Sequence, residues 1–191
     1  MDLINALEKR RTIRKYTQQK IPLEVLEEII RVTRLSPSAS NRQPLEYLLI
    51  TDDEKIEKVF ETVKWAGYIT PKGNPQEGEK PTAYAVILIR EDLKTTFTTH
   101  DVGAAAQSMM LAALNEGIAS CWLGSVDREK LRSNFNIPMK YVIDTVIAMG
   151  YPAEESEVFD MDDSVKYFKE GNKYHVPKRK TEDILHINKL K

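Results

Sequence analysis

The sequence predicts an α+β fold, with helices arranged around a small sheet. Apolar residues recur at helical spacing in some segments, notably 22–35, while others, such as AYAVILI at 83–89, are continuous runs of strand length. The connections between successive strand patterns differ in kind, so nothing imposes the regular alternation of a doubly wound parallel sheet. The 191 residues, 41% hydrophobic and 30% charged, suffice for one domain with a sizeable core, whereas two domains would each be marginal.

Asp2 is placed to cap a first helix whose Leu3, Ile4 and Leu7 share a face, and the basic run RRTIRK follows at 10–15. Pro22 suits the first turn of a second helix, in which Leu23, Leu26, Ile29, Ile30 and Val32 form an apolar stripe ending near Ser36. SPSASNRQP, residues 36–44, then separates this helix from the strand pattern LEYLLIT. Asp52 or Asp53 caps a third helix that turns Ile56, Val59, Phe60 and Val63 inward.

Between Gly67 and Pro81 the composition shifts to Gly, Pro, Lys and Glu, too irregular for a core element and long enough for a mobile cover. Ala83 to Ile89 is a buried strand, and His100 to Glu116 is a helix whose alanines at 104–106, 112 and 113 allow close packing before Gly117 ends it. IASCWLG forms a short strand into Gly124, Asp127 caps a short helix, and DTVIAMG at 144–150 supplies a further buried strand. From Tyr151 onward the chain is polar, and it is expected to run extended along its own body or along a second copy.

A net charge of -1 gives no global support for a nucleic-acid partner. No run is long enough to span a bilayer, and MDLINALEKRR lacks the basic start and apolar core of a signal peptide, so a cytoplasmic protein without a membrane partner is expected. The single Cys121 excludes an internal disulfide and a four-cysteine cluster, and His100, His175 and His186 lack metal-ligand spacing. The loop serines lack a G-x-S-x-G elbow and no histidine neighbours them, which disfavours triad hydrolysis. GIASCWLG fails the dinucleotide fingerprint, because no G-x-G-x-x-G opens a helix there.

Three segments could carry a ligand. Arg10, Arg11, Arg14 and Lys15, with Thr12 among them, match the charge and donor demand of one phosphate; the same run also reads as cations complementing a helix dipole. VPKRK at 176–180 is either a surface charge run or a second cationic group closing on the same phosphate. The loop at 36–44 offers Ser36, Ser38, Ser40, Asn41, Arg42 and Gln43 as hydrogen-bonding side chains between Pro37 and Pro44, more than a plain connection needs, although a polar turn after a helix has the same composition. Trp122 and Cys121 read as core packing.

RRTIRKY, SPSASNRQP, HDVGAAAQSMMLAALNEGIASCWLG and VIAMGYP, followed by VPKRK, occur in an order and spacing that resemble the FMN-dependent nitroreductase family, in a compact form without a ferredoxin-like cysteine segment. The resemblance covers almost the whole chain. It implies a small central, mostly antiparallel sheet in a single domain spanning 1–191, and an intertwined homodimer in which the tail from about 151 embraces the partner and FMN lies at the interface. Carried onto this chain, Arg10, Arg11, Thr12 and Arg14 match the first flavin segment, the early arginines on phosphate and Arg14 nearer the pyrimidine edge. Pro37, Ser38, Ala39, Ser40, Asn41 and Gln43 match the loop reaching the flavin from the other subunit. Leu123 and Gly124 match the strand end beside the ring's N5 and O4, and Arg179, with Lys178, matches the C-terminal phosphate contact. Leu45 departs from the aromatic residue often found after the Gln-Pro pair, and the segment between Lys64 and Pro81 is short for the region that shapes the substrate pocket in larger members.

The activity so implied is reduction of a nitroaromatic, a quinone or a related small-molecule acceptor at the expense of NADH or NADPH, by a ping-pong cycle. Flavin chemistry needs no acid–base residue from the protein, and Arg14 is the residue expected to stabilise the reduced ring. A reductive dehalogenase, a flavin-fragmenting enzyme and an FMN-binding module without efficient turnover share the same residues.

Overall fold

β2 (Ala83–Arg90) is apolar along nearly its whole length because both of its faces are covered. Side chains alternate across a strand, so Tyr84, Val86 and Leu88 enter one core cluster while Ala83, Ala85, Ile87 and Ile89 enter another. The computed structural model describes residues 2–71, 73–161 and 163–190. In it β2 pairs antiparallel with β1 (Leu45–Ile50) and with β4 (Tyr141–Gly150), and β3 (Ala119–Leu123) pairs antiparallel with β4, in the order β1-β2-β4-β3.

Helices close both faces of this antiparallel sheet. α2 (Leu23–Thr33) and α4 (Thr98–Asn115) bury Leu26, Ile29, Val102, Ala106 and Met109 against one face. α3 (Asp53–Phe60) and α5 (Arg128–Phe135) bury Ile56, Val59 and Leu131 against the other. The aspartates at helix starts do the expected work: Asp2, Asp52 and Asp127 accept the amides of Asn5, Lys55 and Lys130 at 3.0, 3.1 and 3.0 Å. α1 (Leu3–Lys9) is different, because Leu3 and Ile4 stay 67% and 64% exposed and no residue of the helix is buried.

After α1 the chain runs as an extended segment beside β3, where the Ile13 amide donates to the Ser120 carbonyl at 3.1 Å. Tyr16 ends this segment fully buried, its hydroxyl on the Ile13 carbonyl at 2.5 Å. A single bridge at Thr12 and Ser120 thus holds the segment beside the sheet, with Ile13 buried and Arg10, Arg11, Thr12 and Arg14 half-buried.

The tail departs from the extended expectation. β5 (Glu155–Asp160), β6 (Phe168–Glu170) and β7 (Lys173–Lys178) form a second sheet in the order β5-β7-β6, with β5 and β7 parallel, and α6 (Thr181–Ile184) follows. Its strands are short and only β7 alternates polar with apolar side chains, a signal too weak to stand out in sequence. The segment 67–81, read as a mobile cover, is tied down: Gly73 and Pro75 are buried, Glu79 pairs with Lys15, and Lys80 with Glu57. Lys72 of that segment lies outside the described residues.

Candidate functional site

The half-buried segment after α1 lines a cavity of about 150 Å³ formed by Arg10, Arg11, Thr12, Arg14, Tyr167, Val176 and Lys178. Four of these residues are cationic and none is acidic. Among the described residues none of the four forms an ion pair with a carboxylate. Burial and the neighbouring charge of Arg11 lower the pKa of Arg10, and burial does the same to Arg11, so both guanidiniums sit where an anion lowers their energy. Arg11 spends donors on the carbonyls of Arg10 and Glu8, which orients it along the end of α1.

Arg14 is held differently. Its backbone amide donates to Glu154 Oε1 at 2.7 Å, the Lys15 amide donates to the same oxygen at 3.1 Å, and Lys169 Nζ reaches Glu154 Oε2 at 2.6 Å. Its guanidinium carbon lies 5.0 Å from the Tyr167 ring centre and 5.3 Å from that of Tyr174, so two aromatic faces flank the charge. Burial pushes the Tyr174 hydroxyl up to about 12, which keeps it neutral.

The end of β3 is rigid for a reason local to β4. The register between β2 and β4 slips between Ile87 and Leu88, passing from Thr145 to Ile143 and leaving Asp144 unpaired. The freed Asp144 carbonyl accepts Arg128 Nη2 at 2.6 Å, and the same guanidinium reaches the carbonyls of Ile143, Val126 and Gly124 at 3.0, 3.3 and 3.4 Å. Buried Thr145 donates to the Leu123 carbonyl at 2.6 Å and accepts the Trp122 indole N–H at 2.7 Å. Leu123 is buried and Gly124 exposed, so the strand leaves the core at the peptide the sequence singles out. Cys121, fully buried and pushed up to about 11 by burial, is an inert thiol as read.

The polar loop forms a separate cavity of about 160 Å³ that includes Pro37, Ser38, Gln43, Leu45 and Asp101. Buried Asp101 of α4 accepts the Ala39 amide at 3.0 Å, and Ser38 Oγ accepts the Gln43 amide at 3.0 Å. Ser40, Asn41 and Gln43 adopt φ of 52°, 52° and 49°, a left-handed conformation that costs energy in residues with side chains and persists here because those bonds impose it. All three residues are exposed, Gln43 at the border of the cavity.

The predicted residues thus divide. Arg10, Arg11, Thr12, Arg14 and Lys178 line one cavity, whereas Pro37, Ser38 and Gln43 line another, and the two share no residue. Ala39, Ser40 and Asn41 sit at the crest of the second, in a short 3-10 turn. Arg179 lines neither, and its guanidinium donates to the Asp183 carbonyl at 2.7 Å. Sequence reasoning missed Glu154, Lys169, Tyr167 and Arg128, each of which has at least one partner 15 or more residues away in the chain. Asp101 left a signal, as a lone acid ahead of the alanine-rich stretch of α4.

The model of the nitroreductase family matches residues 7–151. A protein of Archaeoglobus fulgidus provisionally named NADH dehydrogenase/NAD(P)H nitroreductase is 32% identical over 163 residues, 81% of this chain and 87% of its own. The iodotyrosine deiodinase of Nematostella vectensis is 25% identical over 183 residues, 82% of this chain and 69% of its own. Among solved structures, the FMN-dependent nitroreductase of Clostridium difficile R20291 superposes with a TM-score of 0.72 at 24% identity, covering 98% of this chain and all (100%) of that one.

Proposed function

This chain belongs to the nitroreductase family, and from that premise we propose that it is an FMN-dependent oxidoreductase that reduces a small aromatic acceptor, a nitroarene or quinone, with NADH or NADPH. The observation that carries the reading is the cavity lined by Arg10, Arg11, Arg14 and Lys178 with no acid on its wall. A phosphate monoester carries nearly two charges and several acceptor oxygens, and this donor set fits it. When bound, FMN supplies two-electron chemistry, taking hydride from the nicotinamide and passing electrons to the acceptor in a ping-pong cycle.

The chain's own residues bind and orient. Arg10, Arg11 and Lys178 hold the phosphate, with Thr12 as a hydroxyl donor. Arg14 presents a fixed cation to the pyrimidine edge, where it favours negative charge on the reduced ring. The peptide at Leu123–Gly124, braced by Thr145 and Arg128, would give bound FMN a rigid backbone contact at its ring.

The separation of the two cavities supports a homodimer in which Ser38, Ser40, Asn41 and Gln43 of one copy complete the site built on the other's arginines. The exposed Leu3 and Ile4 of α1 offer apolar surface for such a partner. In this reading residues 1–191 form one domain, and the tail from about 151 lies against the second copy; Arg179 turns to phosphate only there. The visible spectrum of the purified protein, identification of the released cofactor, and anaerobic bleaching by NADH or NADPH test the reading. A colourless protein that takes up no FMN on reconstitution overturns it. The deiodinase relative supports a second reading, reductive dehalogenation of a halophenol; release of iodide from iodotyrosine by the reduced protein, with nitroarenes and quinones left unreduced, would favour it.

A further inference from the structure

Glu154 has no part in the reaction just proposed, yet its side chain is fully buried (0% exposed) and its two oxygens bring together three parts of the chain. Oε1 takes the amides of Arg14 and Lys15, and Oε2 takes the ammonium of Lys169, itself only 13% exposed. Holding two amides does not by itself require a charge, because a neutral amide oxygen also accepts them, although more weakly than a carboxylate. The buried negative charge therefore asks for another explanation, since desolvating a carboxylate costs several kcal/mol that only a good partner offsets.

The explanation lies in the ring that Arg14 and Lys169 share. Arg14 stands 5.3 Å from the Tyr174 ring centre and Lys169 Nζ stands 4.6 Å from it, so two cations occupy one aromatic side chain. Alone they would repel. With Glu154 beside them the cluster carries a net charge of about +1, that of Arg14 alone. Without Lys169, Glu154 would cancel Arg14; without Glu154, the cluster would carry a second positive charge and the amides of 14 and 15 would lose their acceptor.

We propose that Glu154 and Lys169 act as a positioning pair that holds the Arg14 backbone in place and keeps the Arg14 charge uncancelled toward the flavin's pyrimidine edge. The proposal rests on the FMN reading above. The other ion pair on this segment, Lys15 with Glu79 at 2.6 Å, adds one charge of each sign and so contributes no net charge, although Glu79 also feels Lys169.

The test is the midpoint potential of bound FMN, measured beside the FMN dissociation constant and the melting temperature of the FMN-free protein. A fixed cation near the ring raises the potential by favouring the anionic reduced form. Lys169→Met leaves a bare carboxylate beside Arg14, so the potential moves negative and FMN binds roughly tenfold more weakly, about one charge-assisted hydrogen bond's worth. Glu154→Gln adds net positive charge and moves the potential the other way. The double variant Glu154→Gln/Lys169→Met restores the net charge and an amide acceptor, so its potential returns to the wild-type value even where its melting temperature does not. Lys169→Arg keeps the charge and the wild-type potential. Should one single variant fail to fold, the other still decides, because its potential must move in the stated direction while that of Lys169→Arg stays at the wild-type value, and a single variant with an unmoved potential overturns the proposal. Single variants that shift the potential in the same direction, or a double variant as displaced as the worse single one, overturn the proposal while leaving the FMN reading intact. Wild-type protein that binds no FMN overturns both.

Discussion

Tyr16 packs against Gly150 so closely that a Cβ at position 150 would lie 2.7 Å from the ring's Cδ1 and 2.9 Å from its Cβ. The contact joins the arginine-bearing segment to the last residue of β4, and both atoms it would strike belong to a fully buried side chain. Gly150→Ala therefore forces either the ring or the segment aside. The expected loss is about 1–3 kcal/mol, the usual cost of overpacking, seen as a lower melting temperature, and FMN affinity falls with it because Arg14 is two residues from Tyr16. Unchanged stability would show that the segment shifts freely.

The polar loop predicts a contrast at Asp101. Its carboxylate is the acceptor for the Ala39 amide, and three left-handed residues follow that bond. Asp101→Ala leaves a partly buried amide without its acceptor and removes the restraint on the loop, costing about 1–3 kcal/mol. Asp101→Asn keeps an oxygen in the same place and loses less. Hydrogen exchange at residues 39–43 reads the difference, and equal protection in both variants would refute the anchoring role.

Much of the architecture was legible because one physical signal sufficed for each element. The apolar run of β2 and the capping aspartates at 2, 52 and 127 are local features, and all four appear where the residues put them. The site was legible only as separate lists. Arg10 to Arg14 and Lys178 are far apart in the chain, and it is the second sheet that brings them to one cavity. Glu154 was invisible as a site residue because an acid in an AEES stretch looks like surface; only the return of the tail past Lys15 buries it. Arg128 was hidden for a similar reason, since its shortest bond, to the Asp144 carbonyl, exists only once β4 has bulged there.

Acid should weaken the tie between segment 67–81 and the arginine segment. Burial works to raise the Glu79 carboxyl, but the hydrogen bond from Lys15 and the amide of Gln76 outweigh it and hold its pKa below the ordinary 4.5. A carboxyl depressed in the folded state contributes its stability above its unfolded pKa, and loses it as pH falls through the folded value. The melting temperature should thus decline below about pH 4.5, and Glu79→Gln should flatten part of that decline while leaving the neutral-pH slope unchanged. A pH profile identical in the variant would remove Glu79 from the account.

Arg14→Ala separates holding the cofactor from tuning it. Arg10, Arg11 and Lys178 remain on the cavity wall, so FMN content should fall modestly, whereas turnover per bound FMN should fall by tenfold or more, roughly the worth of one well-placed charge at the reacting ring. Turnover normalised to bound FMN is the deciding measurement. A variant with wild-type turnover per flavin would leave Arg14 as a binding residue only.

The division of the candidate residues between two cavities yields a complementation experiment. If each flavin site joins the arginines of one copy to the loop of the other, a protein lacking the cations (Arg10→Ala/Lys178→Ala) and a protein lacking loop donors (Ser40→Ala/Asn41→Ala) both bind FMN poorly as homodimers. In a mixed dimer one site combines both defects, while the other combines intact arginines with an intact loop. Co-expression with random pairing should then restore roughly a quarter of wild-type FMN sites at wild-type affinity, and affinity tags on the two copies isolate the mixed species at one FMN per dimer. Sites confined to single chains predict no restoration at all. A loop with no part in binding predicts that the loop variant was never impaired, so the two homodimers measured alone distinguish that outcome from failed pairing.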